Sequence, residues 1–281
     1  MQALAHDVVN TSKAAAYSGM LMFFPALLVI TTLAATVEEG PSLIGETRAV
    51  LEQFLPDDTL DMVQTSILTH HLRSNQVVLS ATLLSLFAGM GVMLSLMEGF
   101  RRAYQLPPED WTFWGKRARA LLLVPIALVP LAAASLVIVF GHQIEHWMID
   151  NAGHELRHVV IFFWRGVRWV VTLVAIATVL SALYHFGTRR KEHWARVVPG
   201  AITGTLIWFP ATLAYGWYVT RIADYSRIYG SFAAGIATLV WLYLTSFSVL
   251  LGAELNGILY WDRKNELASS QRTSKSAQLV P

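Results

Sequence analysis

A short segment of the chain has the spacing of a zinc-protease motif. Residues 154–158 read His-Glu-Leu-Arg-His, and on a helix His154 and His158 could hold zinc while the glutamate between them activates water. His142 and His146 repeat the same spacing upstream and could supply a further ligand. Short motifs of this kind also arise by chance, and this one lies in a loop between two apolar runs. We therefore expect a solvated outer loop, and we expect no cofactor.

Glu254 is a carboxylate inside the apolar stretch LLGAELNGILYW, residues 250–261. An ionised carboxylate at membrane depth is costly and is normally paired or directed at a cavity. If Tyr260 and Trp261 mark the membrane interface, Glu254 lies about 9–10 Å deeper at 1.5 Å per residue. If the span instead begins at Phe232, Glu254 lies near the headgroups and anchors a basic side chain, namely Arg101, Arg102 or Lys264. Both interpretations stay open from the sequence.

Glu98 stands at the end of the second apolar run, next to two arginines. Arg101 and Arg102 follow it at i+3 and i+4, which is the spacing of a local ion pair on a helix. We expect a structural ion pair here. Because Glu98 and Glu254 lie near the same membrane face, an inner gate formed with these arginines is the alternative.

Polar and small side chains form a stripe on the last apolar run. At 100° per residue they fall within about 80° of one another: Thr238, Thr245, Ser248, Gly252 and Asn256. Such stripes usually let helices pack closely and hydrogen-bond to each other, although they can also line a water-filled path. We expect packing, and we expect Glu254 on the other side of this helix.

Prolines interrupt several apolar runs, namely Pro25, Pro125, Pro130 and Pro210. Proline kinks a helix and frees backbone carbonyls, and transporters use such breaks near binding sites. Proline is also common in membrane helices. We retain Pro25, in the middle of the first run, as a candidate functional residue.

The composition predicts an integral membrane protein. Of the 281 residues, 54% are hydrophobic and 14% are charged, whereas soluble domains carry about a quarter charged residues. A bilayer core needs roughly 20 apolar residues of helix, and six runs meet this length: 14–36, 77–97, 120–140, 161–184, 198–219 and 233–256. We predict an all-α polytopic fold with one six-helix membrane domain over residues 1–264. The polar residues 265–281 are predicted to be a disordered tail.

The loops between these runs differ in charge. Helical spacing of apolar residues in the acidic first loop predicts a short amphipathic helical hairpin on the outer face, over residues 42–74. Lys and Arg collect in the alternate loops, over residues 101–119, 189–196 and 263–275. The positive-inside rule then places both termini in the cytoplasm. Because topology alone demands these basic residues, we expect no nucleic-acid partner.

Several segments resemble the YihY/BrkB family of bacterial inner-membrane proteins. YSRIYGSFAAGIATLVWLYLTSFSVLLGAELN (225–256) is similar to the family's C-terminal signature, and AAAYSGMLMFFPALL (14–28) and VVPGAITGTLIW (197–208) are similar to its first and fifth helices. The family more often carries an Arg and a Pro within the segment that reads LYHFGTRR (183–190) here. The resemblance implies six transmembrane helices with both termini inside. It implies no settled activity: the family was long labelled ribonuclease BN, an attribution later withdrawn, and links to lipid traffic are suggestions.

We expect this protein to transport or flip a lipid-like or amphipathic solute across the bacterial inner membrane. Membrane lipid is the expected partner, and oligomerisation stays open. The alternatives are a non-transporting envelope scaffold and a zinc-dependent membrane protease. A ribonuclease is not expected, because metal-assisted cleavage needs converging carboxylates or histidines and the acidic residues lie mostly in outer loops. The candidate functional residues are Glu254, Asn256, Glu98, Arg101, Arg102, Pro25, Thr245 and Ser248.

Overall fold

Long helices make up the described part of the chain. The computed structural model describes residues 7–34, 75–107, 112–130, 157–188, 193–221 and 232–277. Within these ranges the regular structure is helical, which confirms the all-α prediction for this part of the chain. The helices are α1 (Val8–Ala34), α2 (Asn75–Ala103), α3 (residues 113–130), α4 (Arg157–Gly187), α5 (Trp194–Arg221) and α6 (Ala233–Ala277).

Five of these helices are long and apolar enough to cross a membrane. The candidate spans are Val8–Val29, Val78–Ala103, Trp169–Gly187, Trp194–Arg221 and Ala233–Gln271. They overlap five of the six predicted spans. Of the remaining predicted span, 120–140, residues 120–130 belong to α3 and the rest lie outside the described residues. The predicted outer hairpin, residues 42–74, lies outside them as well.

The helices alternate in direction, so that α1, α3 and α5 begin at one end of the bundle. Arg102 near the end of α2 pairs with Asp7, just before α1. Arg119 near the start of α3 donates a hydrogen bond to the carbonyl of Phe186 at the end of α4. We call this the basic end, because it carries a set of cationic side chains: Arg101, Arg102, Lys116, Arg117, Arg119, Arg196, Arg263 and Lys264.

The buried core lies toward the basic end. Helices α2 to α6 each contribute a large side chain that is at most 1% exposed: Phe100, Leu123, Tyr184, Val197 and Leu250. The rings of Phe100 and Tyr184 meet edge to face with their centroids 5.2 Å apart. Farther from this end, Leu83 and Phe87 of α2 and Leu213 and Trp217 of α5 are exposed. Such surface suits lipid tails better than water.

The last helix is longer than a membrane span. Its 45 residues correspond to about 68 Å, whereas the hydrocarbon core of a bilayer is about 30 Å thick. The sequence predicts disorder from residue 265, but α6 continues to Ala277, and residues 278–281 lie outside the described part. Residues 258–277 contain neither glycine nor proline, so backbone hydrogen bonding can continue past the apolar segment.

Candidate functional site

Glu98 is the centre of an ion network at the basic end. Its carboxylate accepts two hydrogen bonds from Arg101, at 3.1 and 2.6 Å, and one from Arg102 at 3.1 Å. The Lys116 ammonium of α3 lies 3.6 Å from the same carboxylate. Arg102 also donates to Asp7 at 2.8 Å. The local pair predicted from the spacing is therefore present, and the network extends it to the starts of α1 and α3.

A tight turn at the end of α2 positions the two arginines. The amides of Gln105 and Leu106 donate to the carbonyls of Arg102 and Arg101, both at 2.9 Å, which is the Schellman pattern of a helix end. Gln105 has φ of 51°, in the left-handed position that glycine usually fills. The Arg101 guanidinium also donates to the carbonyl of Leu106 at 2.9 Å. The turn thus holds both arginines beside Glu98.

Asp7 joins the start of α1 to this network. The amide and the hydroxyl of Thr11 donate to the carbonyl of Asp7, at 3.1 and 2.9 Å. The side-chain amide of Asn10 donates to the carboxylate of Asp7 at 2.6 Å. A carboxylate is favourable at a helix N-terminus because of the helix dipole, so Asp7 stabilises α1 while it binds Arg102.

The polar stripe of α6 contacts α5. Asn256 is 1% exposed; it accepts a hydrogen bond from the amide of Gly200 at 2.8 Å and donates one to the carbonyl of Val197 at 2.9 Å. Thr245 accepts a hydrogen bond from the indole of Trp208 at 3.1 Å. These bonds between helices are of the kind that the packing interpretation of the stripe predicts.

Glycines bring the backbones of α5 and α6 together at the level of Asn256. A Cβ placed on Gly200 would overlap the carbonyl oxygen of Gly252, and a Cβ on Gly252 would overlap that of Gly200. The hydroxyl of Tyr184 on α4 reaches the same region and donates to the carbonyl of Val249 at 2.6 Å. Three helices therefore meet here through buried contacts.

Glu254 is buried on another face of α6. It is 5% exposed and, at 100° per residue, shares the face of Leu250 and Trp261. That face meets α2, because Leu250 packs against Gly99 and the indole of Trp261 donates to the carbonyl of Tyr104 at 3.1 Å. Glu254 therefore points away from the α5 side of the helix, as the periodicity predicts.

Ser248, Pro25, Lys264 and the histidines are the remaining residues that the sequence singled out. Ser248 is 2% exposed and donates to the carbonyl of Leu244 within its own helix at 2.9 Å. Pro25 lies inside α1, and Lys264 lies with its ammonium 4.5 Å from the ring centre of Trp261. Of the histidine motif, His158 is in the first turn of α4, whereas His142, His146 and His154 lie outside the described residues.

Sequence reasoning missed the part that α5 plays in this site. Pro199 lies inside α5 and has no N–H to donate; the next amide, that of Gly200, binds Asn256. The available signal in the sequence was the pair Pro199-Gly200 within an apolar run. This pair did not reveal which helix would supply the polar partner of the Gly200 amide.

Nearly the whole chain matches one protein family. The model of the family described as virulence factor BrkB matches residues 2–277. The chain belongs to the virulence factor BrkB family. This membership confirms the family resemblance seen in the sequence, and together with the apolar helices it makes the chain a multi-pass membrane protein.

Relatives with known names give no specific activity. A protein named as ribonuclease-like, YfkH of Bacillus subtilis, is 27% identical over 262 residues, which cover 92% of each chain. Two UPF0761 membrane proteins, from Aromatoleum aromaticum and Chromohalobacter salexigens, are 26% and 25% identical over 91% and 93% of this chain. The chain spans 61% and 62% of the length of those two relatives. No solved structure matches the chain.

Proposed function

We propose that this BrkB-family protein moves a lipid-like or amphipathic solute across the bacterial inner membrane. The observation that carries the proposal is a difference between two sets of helix contacts at the basic end. Buried backbone contacts and hydrogen bonds join α5 to α6, whereas the ends of α1, α2 and α3 are joined by partly exposed ion pairs in addition to buried packing such as that of Gly99 against Thr11. A rigid helix pair beside helices with exchangeable contacts suits a transporter in which one group rocks against the other.

The two sets of contacts differ in the cost of breaking them. The side chains of the ion network are between 22% and 45% exposed, and ion pairs that reach water contribute about 0–1 kcal/mol each. Water can replace such pairs. Separating Asn256 from α5 would instead break two buried hydrogen bonds between membrane helices. The ion pairs at the ends of α1 to α3 can therefore exchange with water more easily than the buried hydrogen bonds between α5 and α6.

Glu254 lies at the boundary between the two groups of helices. It belongs to α6, in the rigid pair, and its face of α6 meets α2, in the ion-paired group. A buried carboxylate in a membrane helix is costly and usually has a function. We propose that the side chain of Glu254 changes its contacts when the solute passes between these two groups of helices.

Flipping of a fluorescent phospholipid in reconstituted vesicles tests this function. Wild-type protein is expected to flip the lipid faster than empty vesicles do, and Glu254→Gln is expected to slow it at least about tenfold, by removing a carboxyl group that the moving state uses. Glu266→Gln is the matched control, because it makes the same change at an exposed position of the same helix. Wild-type rates equal to those of empty vesicles reject the function; a Glu254→Gln rate equal to that of the control rejects the role of Glu254.

We propose that the basic end faces the cytoplasm, with both termini on that side. The concentration of Lys and Arg there supports this orientation through the positive-inside rule. A fluorescent reporter that matures only in the cytosol, fused after residue 281, is expected to be bright in intact cells. A dark fusion, together with an active periplasmic enzyme fused at the same position, would reverse the orientation.

A non-transporting envelope scaffold is the second candidate. It is favoured by the continuation of α6 past Trp261 to Ala277, an extension in which residues 264–266 and 268–271 are exposed and accessible to a partner. A protein that flips no lipid but stays folded would favour this role.

Ribonuclease activity is not proposed, although one relative carries the term in its name. In the part of the chain that the structure covers, no three His, Asp or Glu side chains are grouped as metal ligands.

A further inference from the structure

Among the residues that the structure describes, the ion network carries more cationic than anionic side chains. Arg101, Arg102 and Lys116 contribute three positive charges, and Glu98 and Asp7 contribute two negative charges, so these five groups sum to one positive charge. The two oxygens of Glu98 serve all three cations, and Lys116 stays 3.6 Å away, beyond an ordinary hydrogen bond. An anion with more oxygen atoms would match these cations better than the carboxylate does.

Phosphate has the chemistry that this set of cations favours. It offers more acceptor oxygens than a carboxylate, and the fork of an arginine side chain binds it in a bidentate manner. The three cations are 22%, 36% and 33% exposed, so an anion can reach them without the core opening.

Exposed aromatic side chains lie beside this network, in a combination that is typical of the level of lipid headgroups. Phe113 and Trp114, in the first turn of α3, are 61% and 74% exposed and lie three and two residues before Lys116 on the same helix. The guanidinium of Arg117 lies 3.5 Å from the ring centre of Phe113. Aromatic and basic side chains together are typical of the membrane interface. A phosphate group at this depth can belong to a lipid headgroup or to a soluble phosphate ester.

We propose that Arg101, Arg102 and Lys116 form a binding site for the phosphate of an anionic headgroup, which Glu98 occupies as an internal counter-ion until the phosphate displaces it. Displacement breaks the contact between Glu98 and Lys116 and so loosens α2 from α3 at the basic end. Arg102 stays bonded to Asp7 of α1. The inference rests on the proposed transport and names its substrate class, an anionic amphiphile that carries phosphate.

Calorimetric titration of the purified full-length protein in neutral detergent tests the site. The probes are dihexanoyl phosphatidylglycerol, dihexanoyl phosphatidylcholine and glycerol 3-phosphate. Wild-type protein is expected to bind the anionic lipid about tenfold more tightly than the zwitterionic one, because the five described groups of the site sum to a net positive charge. Lys116→Gln is expected to weaken binding of the anionic lipid about tenfold, through the loss of one charged contact. Glu98→Gln is expected to strengthen it, because the competing carboxylate is gone.

Lys264→Gln is the matched control, since it removes the same charge at the same end but outside the network. Its affinity is expected to equal that of the wild type, and Lys116→Arg is expected to retain binding. Equal weakening by Lys264→Gln and Lys116→Gln would overturn the site, as would weaker or unchanged binding by Glu98→Gln. Thermal unfolding in the same detergent shows which variants are folded. The substitutions of Glu98 and Lys116 are expected to change the affinity in opposite directions, so each tests the site independently of the other.

The three probes also separate the sources of the phosphate. Binding of both phosphatidylglycerol and glycerol 3-phosphate supports a site for any phosphate ester, and binding of phosphatidylglycerol alone supports a lipid headgroup; binding of neither overturns the site. Lipid flipping without charge-selective binding would reject the site and keep the transport proposal. Charge-selective binding without lipid flipping would keep the site and reject the transport proposal.

Discussion

Replacing Gly200 with alanine is expected to destabilise the protein by about 3 kcal/mol, the upper end of the usual cost of an overpacked core, or to prevent folding. The added Cβ would overlap the carbonyl oxygen of Gly252 and the side-chain amide of Asn256. The carbonyl belongs to a helix backbone and cannot rotate away, and two hydrogen bonds hold the amide in place. Thermal unfolding of the detergent-solubilised protein measures the loss.

Gly216→Ala is the matched control for this substitution. It makes the same change in the same helix, but no described atom outside its own stretch of helix lies within 4 Å of the position of its Cβ. Because alanine favours helix over glycine by up to about 1 kcal/mol, stability is expected to be unchanged or slightly higher. If Gly200→Ala unfolds at the temperature of Gly216→Ala, the backbones of α5 and α6 do not approach as closely as the structure has them.

Replacing Asn256 with leucine is expected to cost about 2 kcal/mol, because the amide of Gly200 loses its side-chain acceptor where water is scarce. Leucine has the same number of side-chain heavy atoms but a larger volume, so the loss combines the two hydrogen bonds with overpacking and does not report a cavity. Asn256→Asp should cost at least as much. Its carboxylate can still accept from Gly200, but it cannot donate to the carbonyl of Val197 at the position where the amide now lies 2.9 Å away.

The control for these variants is Asn265→Leu, an exposed asparagine of the same helix. Its stability is expected to lie within about 0.5 kcal/mol of the wild type, as for most surface substitutions. Unfolding temperatures measured for all four proteins under the same detergent conditions rank the effects. An Asn256→Asp protein as stable as the wild type would show that the donor half of the amide contributes nothing.

Sequence alone anticipated the contacts that form within one helix. Glu98, Arg101 and Arg102 are three and four residues apart, and helical geometry brings such residues together wherever the helix lies in the bundle. The same periodicity separated Glu254 from the stripe of Asn256. Such predictions need only the helical repeat, so they can be made without knowledge of the tertiary structure.

Contacts between helices could not be derived in this way. Lys116 and Asp7 belong to the network of Glu98. From the sequence, however, only the local arginines were predicted as partners of Glu98. The partner of Asn256 was also hidden, because Gly200 lies on another helix, 56 positions away. Spacing along the chain carries no information on which helix faces meet.

By itself the sequence determined that this is a helical membrane protein, because the length and apolarity of a spanning segment depend only on the residues inside it. It also determined the family, through motifs spread over nearly the whole chain. Only the tertiary structure decided that buried glycine and asparagine contacts join α5 to α6, and that partly exposed ion pairs add to the packing of α1, α2 and α3. The physical reason is that burial and pairing depend on how separate helices are placed against each other, and several arrangements satisfy the same pattern of apolar and polar residues.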